Sequence, residues 1–315
     1  MRASALFALL MLAAAPAAAE DCPRGALDKA YCDRDGDMVA DAPTDPKQYL
    51  DPSTLIFSYT PIEDPAVWQG IWARFLTHLE KTVGRPVKFF QIQSYAAQLE
   101  ALRSGRLHVV GVNAGSVPLA VNCAGYVPMV GMATPKGLWG YTMEFIVPAK
   151  SKITQVSELR GKEIAFVSPT SHSGYKAPLV FLRKQGLELD RDYKARFTGK
   201  HDTSILGVAN GDFDIAAVAG DLVTRMGERK VFDPAQVRVI YTSELFPGTG
   251  YGVSNRLKPE LAEKVKQAFL TYDWQDPGLR HEFPDVDRFS AIDYKSRWEI
   301  FREVDAETGV KYDCK

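Results

Sequence analysis

Hydrophobic positions in this chain form two recurring patterns: short apolar runs, and longer segments whose apolar residues recur every three or four positions. The run Leu55–Tyr59 predicts a buried strand. The segment after it places Trp68, Trp72 and Phe75 on one face of a helix. The other predicted strands cover residues 87–90, 107–112, 141–147, 164–167, 193–197, 215–218 and 237–241. Because short loops join these strands to helical segments, we predict an α/β protein with doubly wound, mostly parallel sheets.

The alternation of strands and helices is interrupted twice, which predicts two lobes. We interpret Pro148–Lys150 as the first crossing between lobes and Phe246–Gly252 as the return crossing. The predicted divisions are a leader at residues 1–19, an N-terminal arm at 20–50, a first lobe at 51–148 plus 250–315, and a second lobe at 149–249. Two lobes joined by two crossings enclose a cleft, and ligands of open α/β sheets bind at the carboxyl ends of the strands. This arrangement favours a hinged ligand trap.

The first nineteen residues have the pattern of a secretory signal peptide. Arg2 precedes an apolar run from Ala3 to Ala15, and an A-x-A site at Ala17–Ala19 precedes Glu20. The apolar run is too short to span a bilayer. We therefore predict export to the periplasm, with cleavage near Ala19.

Charge is almost balanced along the chain, with 38 basic and 39 acidic residues and a net charge of -1. A broad nucleic-acid surface needs clustered basic residues in excess, so no nucleic-acid partner is predicted. The sequence has no G-x-S-x-G elbow, no P-loop and no paired metal-ligand motif, which disfavours a hydrolase or phosphatase. We therefore predict a protein that is not an enzyme.

Four cysteines occur in this chain, at positions 22, 32, 123 and 314. In an exported protein they can form two disulfides in three possible ways. Cys22 and Cys32 are near in sequence, which leaves Cys123 with Cys314 as the simplest set of partners. A free Cys123 thiol that binds a soft metalloid is the alternative.

The N-terminal arm carries closely spaced aspartates. Asp33, Asp35 and Asp37 match the start of an EF-hand calcium loop, with Asp41 nearby. Met38, however, stands where that loop has glycine, and Thr44 stands where it has a bidentate glutamate. The two interpretations are a structural calcium site and a solvated acidic arm that wraps the surface; no other cofactor is predicted.

The stretch Ser168–Pro178 has the composition of an anion-binding turn. It lies between an apolar run, Ile164–Val167, and the start of a predicted helix at Leu179. Unpaired N–H groups and the dipole at a helix N-terminus attract oxyanions, and serines can both cap the helix and donate to the ligand. An ordinary serine-capped helix is the alternative interpretation.

From Leu55 onward the sequence resembles the phosphate, phosphite and phosphonate binding proteins of ABC importers, which are type II periplasmic binding proteins. Four stretches carry the resemblance: Tyr95 to Gly105, Gly140-Tyr141, Ser171-His172-Ser173-Gly174 with Pro178, and Gly199 to Asp202 with Val208 to Gly211. The acidic, cysteine-bearing arm is similar to a branch that includes 2-aminoethylphosphonate binders.

The resemblance implies a set of ligand-binding residues. Tyr95, Ser171, Ser173 and His201 are expected to donate to the phosphonate oxygens, and Tyr141 to line the pocket and close over the ligand. Asp221 falls where the family has an acid that receives an amine.

Two positions depart from the family pattern. His172 replaces a threonine and is expected to offer its backbone N–H, and Thr249 replaces a second acid. Tyr59, Asn113 and Ser116 are further candidates, because they lie where predicted strands end.

The predicted function is therefore capture of a phosphonate, such as 2-aminoethylphosphonate, or a related phosphorus oxyanion for an ABC importer. The expected partners are the small oxyanion and an inner-membrane permease, and the expected state is a monomer. The alternative is a periplasmic sensor of phosphite, phosphate or arsenite that acts on a histidine kinase, with Cys123 as the residue that favours arsenite.

Overall fold

The computed structural model describes residues 22–275 and 277–314, so the predicted signal peptide lies outside the described residues. Fourteen strands lie in this described part: β1 Leu55–Tyr59, β2 Val87–Phe89, β3 Val109–Val112, β4 Tyr126–Thr134, β5 Gly137–Leu138, β6 Gly140–Tyr141, β7 Met143–Pro148, β8 Glu163–Phe166, β9 Lys194–Phe197, β10 Ala216–Ala219, β11 Val237–Thr242, β12 Phe246–Pro247, β13 Gly250–Ser254 and β14 Arg288–Ala291. The same part contains ten α-helices: α1 Pro65–Val83, α2 Tyr95–Arg103, α3 Val117–Ala124, α4 Ala177–Lys184, α5 His201–Asn210, α6 Gly220–Glu228, α7 Pro259–Leu270, α8 Pro277–Glu282, α9 Tyr294–Arg297 and α10 Glu299–Glu307.

The strands form two larger sheets of similar design. The first has the order β14-β4-β13-β3-β1-β2, with β5 paired to β4, and the second has the order β11-β7-β10-β8-β9. Three adjacent strands are parallel in each sheet, β2-β1-β3 in the first and β9-β8-β10 in the second. Beside them lies an antiparallel strand, β13 or β7. The fold is thus α/β as predicted, but its sheets are mixed rather than mostly parallel.

The first crossing between sheets lies earlier than the sequence predicted. The strand at 143–148, expected in the first lobe, pairs with β10 and β11 in the second sheet. The chain therefore crosses at β6, which pairs with β12 of the return crossing, and Pro148–Lys150 lies inside the second lobe. Below, lobe 1 denotes residues 51–139 and 248–314, and lobe 2 denotes residues 142–245.

Helix α1 shows how the sequence builds the core of lobe 1. Asp64 caps it by accepting a hydrogen bond from the Ala66 N–H, Pro65 fixes its first turn, and Gly84 ends it in a left-handed conformation. Its buried face contributes Trp68, Trp72 and other large side chains to a cluster of aromatic residues against the first sheet. The predicted amphipathic helix is confirmed. Among the described residues, no helix is long and apolar enough to cross a membrane.

The N-terminal arm is attached to lobe 1 rather than free. Leu27, Val39 and Ala40 are buried in the second core cluster of that lobe. All four cysteines are paired, Cys22 with Cys32 and Cys123 with Cys314. The second disulfide joins the C-terminal tail to α3. The alternative of a free Cys123 thiol is therefore wrong.

Candidate functional site

The serine-rich stretch forms a wide turn that leads into a helix. Strand β8 ends at Phe166, and residues His172–Lys176 form a single π-helical turn that continues as α4. Ser171 caps this turn, because its Oγ accepts a hydrogen bond from the Gly174 N–H at 3.1 Å. A Cβ on Gly174 would lie 2.5 Å from Val167, so the tight approach of turn and strand requires glycine there.

This turn faces a small cavity between the two lobes. The cavity has a volume of about 40 Å³, which is room for a small oxyanion and little more. Its lining includes ten of the eleven predicted ligand-binding residues: Tyr59, Tyr95, Asn113, Tyr141, Ser171, His172, Ser173, His201, Asp221 and Thr249. Lobe 1 and lobe 2 both contribute to this set, so the cavity exists only where the lobes meet.

Tyr95 is the first residue of α2, whose N-terminus is capped by Ser94. Its side chain is buried, and its hydroxyl has no hydrogen-bond partner in the part of the chain that the structure describes. Burial raises the pKa of Tyr95 well above its ordinary value, followed by smaller effects of Tyr141 and Tyr59. A buried, neutral hydroxyl without a partner is a donor that a ligand can satisfy.

Tyr141 and Ser173 meet across the cavity from the crossing strand and the serine turn. Burial raises the pKa of Tyr141, and the proximity of Ser173 opposes that effect. Tyr141 therefore remains a neutral hydroxyl at physiological pH, and the buried Ser173 Oγ has no hydrogen-bond partner among the described residues. They add two donors to the same small space.

His201 is the first residue of α5 and is held in one tautomer. The Ala219 N–H donates to His201 Nδ1 at 3.1 Å, so the proton of the neutral ring lies on Nε2. Burial, and secondarily the charge of Arg225, lowers the pKa of His201 to about 3. His201 is thus a neutral N–H donor rather than the cation that the sequence allowed.

Ser171 has its acceptor capacity occupied by the protein. Its Oγ accepts from the Gly174 N–H and lies 3.4 Å from His201 Nε2, which carries the ring proton. The Ser171 hydroxyl proton is then free for a ligand oxygen. The same tautomer prevents His201 from acting as a general base on Ser171, which argues against a hydrolase.

The His172 ring is packed away from any polar partner. It lies between the rings of Phe246 and Phe301, with centroids 4.4 Å and 4.3 Å away. Neither ring nitrogen has a partner among the described residues. Burial, with a smaller effect of Lys176, lowers the pKa of His172 to about 3. Its backbone N–H is the group that this residue can offer a ligand.

Asp221 lies in the first turn of α6 and already has a cationic partner. Its Oδ2 accepts from Arg225 Nη2 at 2.6 Å. Arg225 lines the same cavity but was not predicted from the sequence, although its spacing of four residues from Asp221 was a usable signal. Five further lining residues missed by the sequence analysis are apolar and carry no chemical signature: Ile62, Ala114, Trp139, Ala219 and Phe283.

The remaining candidates hold the loops around the cavity. Asn113 donates to Thr60 Oγ1 and Ser116 Oγ, so its amide protons are used within lobe 1. Ser116 does not line the cavity; it donates to Thr170 Oγ1 at 3.0 Å and links lobe 1 to the serine turn. Tyr59 and Thr249 interact with each other, and burial raises the pKa of Tyr59 to about 12.

The predicted calcium ligands lie in the N-terminal arm and do not line this cavity. Oxygen atoms of Asp33, Asp35 and Asp37 lie within 4.8 Å of one another, whereas Asp41 forms an ion pair with Arg34. Met38 has a φ of 70°, the left-handed conformation for which a calcium loop uses glycine. The three clustered carboxylates also accept backbone N–H groups of their own loop, as an ordinary acidic turn does.

Comparison of the sequence with known proteins identifies the family of this chain. Residues 57–298 match the family model described as the periplasmic phosphonate-binding protein of ABC transporters. The chain belongs to this family. The match covers both lobes and both crossings, so it includes all the cavity-lining residues of this periplasmic phosphonate-binding protein.

Two characterised relatives share about a quarter of its residues. The phosphate-import protein PhnD of Mycolicibacterium smegmatis is 25% identical over 279 residues, covering 84% of this chain and 85% of the relative. The phosphonates-binding periplasmic protein of Escherichia coli K12 is 24% identical over 205 residues, covering 64% and 61%.

Solved structures of family members have the same fold. PhnD1 of Prochlorococcus marinus in complex with methylphosphonate has a TM-score of 0.73 at 19% identity, covering 82% of this chain and all of the other. A binding-protein component of an ABC phosphonate transporter from Pseudomonas aeruginosa has a TM-score of 0.75 at 21% identity, covering 84% and 90%. The predicted two-lobed type II binding-protein fold is confirmed.

Proposed function

We propose that this protein captures a compact phosphorus oxyanion in the cavity between its lobes and delivers it to an inner-membrane ABC permease. One observation carries the proposal: the hydroxyl donors of Tyr95, Tyr141, Ser171 and Ser173 converge on one small cavity, where the His201 N–H faces Ser171 Oγ. An oxyanion that leaves water needs several such donors to replace its hydration. In this proposal the chain is exported by residues 1–19 and acts as a monomer.

The size of the cavity and the ion pair of Asp221 both favour a ligand with a small substituent, such as methylphosphonate, phosphite or phosphate. A volume of about 40 Å³ leaves little room beyond the oxyanion. The Asp221 carboxylate that would receive an amine is bound to Arg225. We therefore place these compact ligands ahead of 2-aminoethylphosphonate.

A neighbouring cavity keeps 2-aminoethylphosphonate as the second candidate. It has a volume of about 380 Å³, shares Tyr141 and Asp221 with the small cavity, and is also lined by Glu144. Burial, and then the charge of Asp221, raises the pKa of Glu144. Two nearby carboxylates in a larger space would suit an ammonium group.

Calorimetry with methylphosphonate, phosphite, phosphate and 2-aminoethylphosphonate tests both candidates. We expect the compact ligands to bind at least as tightly as 2-aminoethylphosphonate. Tighter binding of 2-aminoethylphosphonate that is lost in Asp221→Asn would replace our assignment with the aminoalkyl one. Absence of binding by all four ligands would overturn the proposed function itself.

The sensor interpretation has lost its support for arsenite. Binding of a soft metalloid needs a thiolate, and Cys123 is joined to Cys314. Sensing of phosphite or phosphate uses the same cavity as transport, so uptake distinguishes the two roles. We expect deletion of the gene to abolish uptake of the preferred ligand, and unchanged uptake would favour the sensor.

A further inference from the structure

A side chain of lobe 2 is inserted into lobe 1 beside the ligand cavity. Arg225, on α6, donates from Nη1 to Glu282 Oε1 of lobe 1 at 2.7 Å. Its guanidinium carbon lies 4.8 Å from the ring centroid of Phe283 and 5.4 Å from that of Trp68. These three lobe 1 residues form a socket, and Arg225 is only 7% exposed within it.

A second arginine from the same face of lobe 2 crosses next to the first. Arg229 follows Arg225 by four residues, which places both on one side of the helix. Arg229 Nη2 lies 2.6 Å from Glu63 Oε2, and its Nη1 lies 3.8 Å from Glu282. Glu63 is almost fully buried and belongs to the loop after β1 of lobe 1. Two arginines therefore join lobe 2 to two buried carboxylates of lobe 1.

Arg225, unlike Arg229, is also part of the ligand cavity. Arg225 lines that cavity and donates from Nη2 to Asp221, a second lining residue within lobe 2. Glu282 and Glu63, in contrast, do not line it. Arg225 thus connects the surface that meets the ligand with contacts that exist only while the lobes are closed.

We infer that Arg225 is a positioning residue that holds the cleft closed over the bound ligand. The inference rests on the proposed function, because it concerns the retention of a ligand. Opening the cleft would withdraw Arg225 from its socket and leave Glu282 without its buried counter-ion, which is costly. Contacts present only in the closed form slow the release of ligand and leave the first encounter unchanged.

Stopped-flow fluorescence with methylphosphonate tests this inference, with Trp139 in the cavity wall as an intrinsic probe. We expect Arg225→Met to raise the dissociation rate about tenfold or more and to change the association rate by less than about threefold. Arg238→Met is the matched control, because among the described residues Arg238 donates only to the carbonyls of Ser151 and Ile153 in its own lobe. Equal dissociation rates in wild type and Arg225→Met would overturn the inference.

Glu282→Gln separates closure from direct contact with the ligand. It removes the lobe 1 partner without touching the small cavity, so we expect it to raise the dissociation rate as well. In the double variant with Arg225→Met the two effects should be less than additive. An effect of Arg225→Met alone, with none from Glu282→Gln, would show that Arg225 acts only on the ligand and would overturn the inference.

A readout without ligand keeps the result independent of the proposed function. Pulsed electron paramagnetic resonance between one spin label on each lobe measures the fraction of closed molecules. We expect Arg225→Met to lower that fraction and Arg238→Met to leave it unchanged; no decrease would contradict the inference. If wild type binds none of the four oxyanions, the proposed function fails and this measurement alone decides the role of Arg225.

Discussion

Single side chains in the ligand cavity supply neutral donors rather than free cations. Tyr95 and His201 are buried and Tyr141 is partly buried, and their shifted pKa values keep all three uncharged near neutral pH. The guanidinium of Arg225 is shared between Asp221 and Glu282. A pocket of this kind selects for the geometry of an oxyanion, because each oxygen must meet a fixed hydrogen rather than a diffuse positive field.

Removing the Tyr95 hydroxyl tests that view most directly. A hydrogen bond to a charged group contributes about 1.5–3 kcal/mol, so Tyr95→Phe should weaken methylphosphonate binding by roughly 10- to 150-fold. Calorimetry measures the change. Tyr193→Phe, at a buried tyrosine of lobe 2 outside the cavity, should leave the affinity unchanged. A loss of less than about threefold in Tyr95→Phe would contradict a direct contact.

The buried His172 ring predicts a dependence of stability on pH. Its folded pKa of about 3 lies below the unfolded value near 6.5, so the unfolded state gains a proton first as pH falls. Stability from this residue is therefore complete above about pH 6.5 and decreases toward pH 3, by about 1.4 kcal/mol per pH unit.

His172→Phe removes that titrating group and keeps an aromatic ring between Phe246 and Phe301. Between pH 6.5 and 4.5 the variant should lose roughly 2–3 kcal/mol less unfolding free energy than wild type. Urea denaturation at both pH values gives the difference. Parallel pH profiles for the two proteins would show that His172 is protonated in the folded state.

Among the secondary-structure elements, the C-terminal helix α10 supports the serine turn from behind. Phe301 contacts His172, and Asp305 forms a 2.6 Å ion pair with Lys176 of the π-helical turn. Lys176 also donates to the Gly115 carbonyl of lobe 1. Burial lowers the pKa of Lys176, and Asp305 opposes that shift. The position of the turn thus depends on an element more than a hundred residues away in sequence.

Asp305→Asn should destabilise the protein by about 3–5 kcal/mol, because it leaves the Lys176 charge buried without a counter-ion. Thermal and urea unfolding measure the loss. Asp190→Asn is the matched control, since its pair with Lys194 is exposed and contributes at most about 0.5 kcal/mol. Equal stabilities of the two variants would contradict the structural importance of the buried pair.

The sequence predicted elements whose signal is local and missed those defined by distant partners. Hydrophobic spacing located β1 and α1, and the order of strand, serine turn and helix brought Ser171 and Ser173 to the cavity. No strand was predicted between residues 112 and 141, yet β4 lies there, because glycines and prolines in this segment conceal a strand that pairs with β13 and β14. Strand β13 was not predicted either, because its glycines also conceal the strand pattern.

In the cavity, residue chemistry decided what could be predicted. Hydroxyl and imidazole side chains can be recognised as possible donors from the sequence alone. Trp139 and Phe283 cannot be distinguished from ordinary core residues until the arrangement of the two lobes is known. The tautomer of His201 also depends on the Ala219 N–H, a backbone group that no sequence motif reveals.

In the part of the chain that the structure describes, the first and the last segments are both fixed to lobe 1. The N-terminal arm packs on it, and the disulfide Cys123–Cys314 attaches the tail after α10. Cys22–Cys32 closes a separation of 10 residues, while Cys123–Cys314 closes one of 191. The sequence between Cys123 and Cys314 contains all the residues of lobe 2.

Replacing both cysteines of a pair by serine should therefore have unequal effects. Loop-closure entropy predicts a loss of about 5 kcal/mol without Cys123–Cys314 and about 3 kcal/mol without Cys22–Cys32. Urea unfolding of the two double variants provides the comparison. An equal or larger loss from the Cys22–Cys32 variant would show that local packing of the arm, rather than the loop, determines the contribution.

The place of β13 between β3 and β4 has a consequence for how the chain is made. A polypeptide emerges from the ribosome and the export channel N-terminus first, so β3 and β4 arrive long before the strand that must separate them. All five strands of the second sheet, in contrast, lie within residues 143–242. We therefore expect lobe 2 to fold first. Until residue 254 has been released, the first sheet lacks β13, and its unpaired strand edges are prone to aggregation.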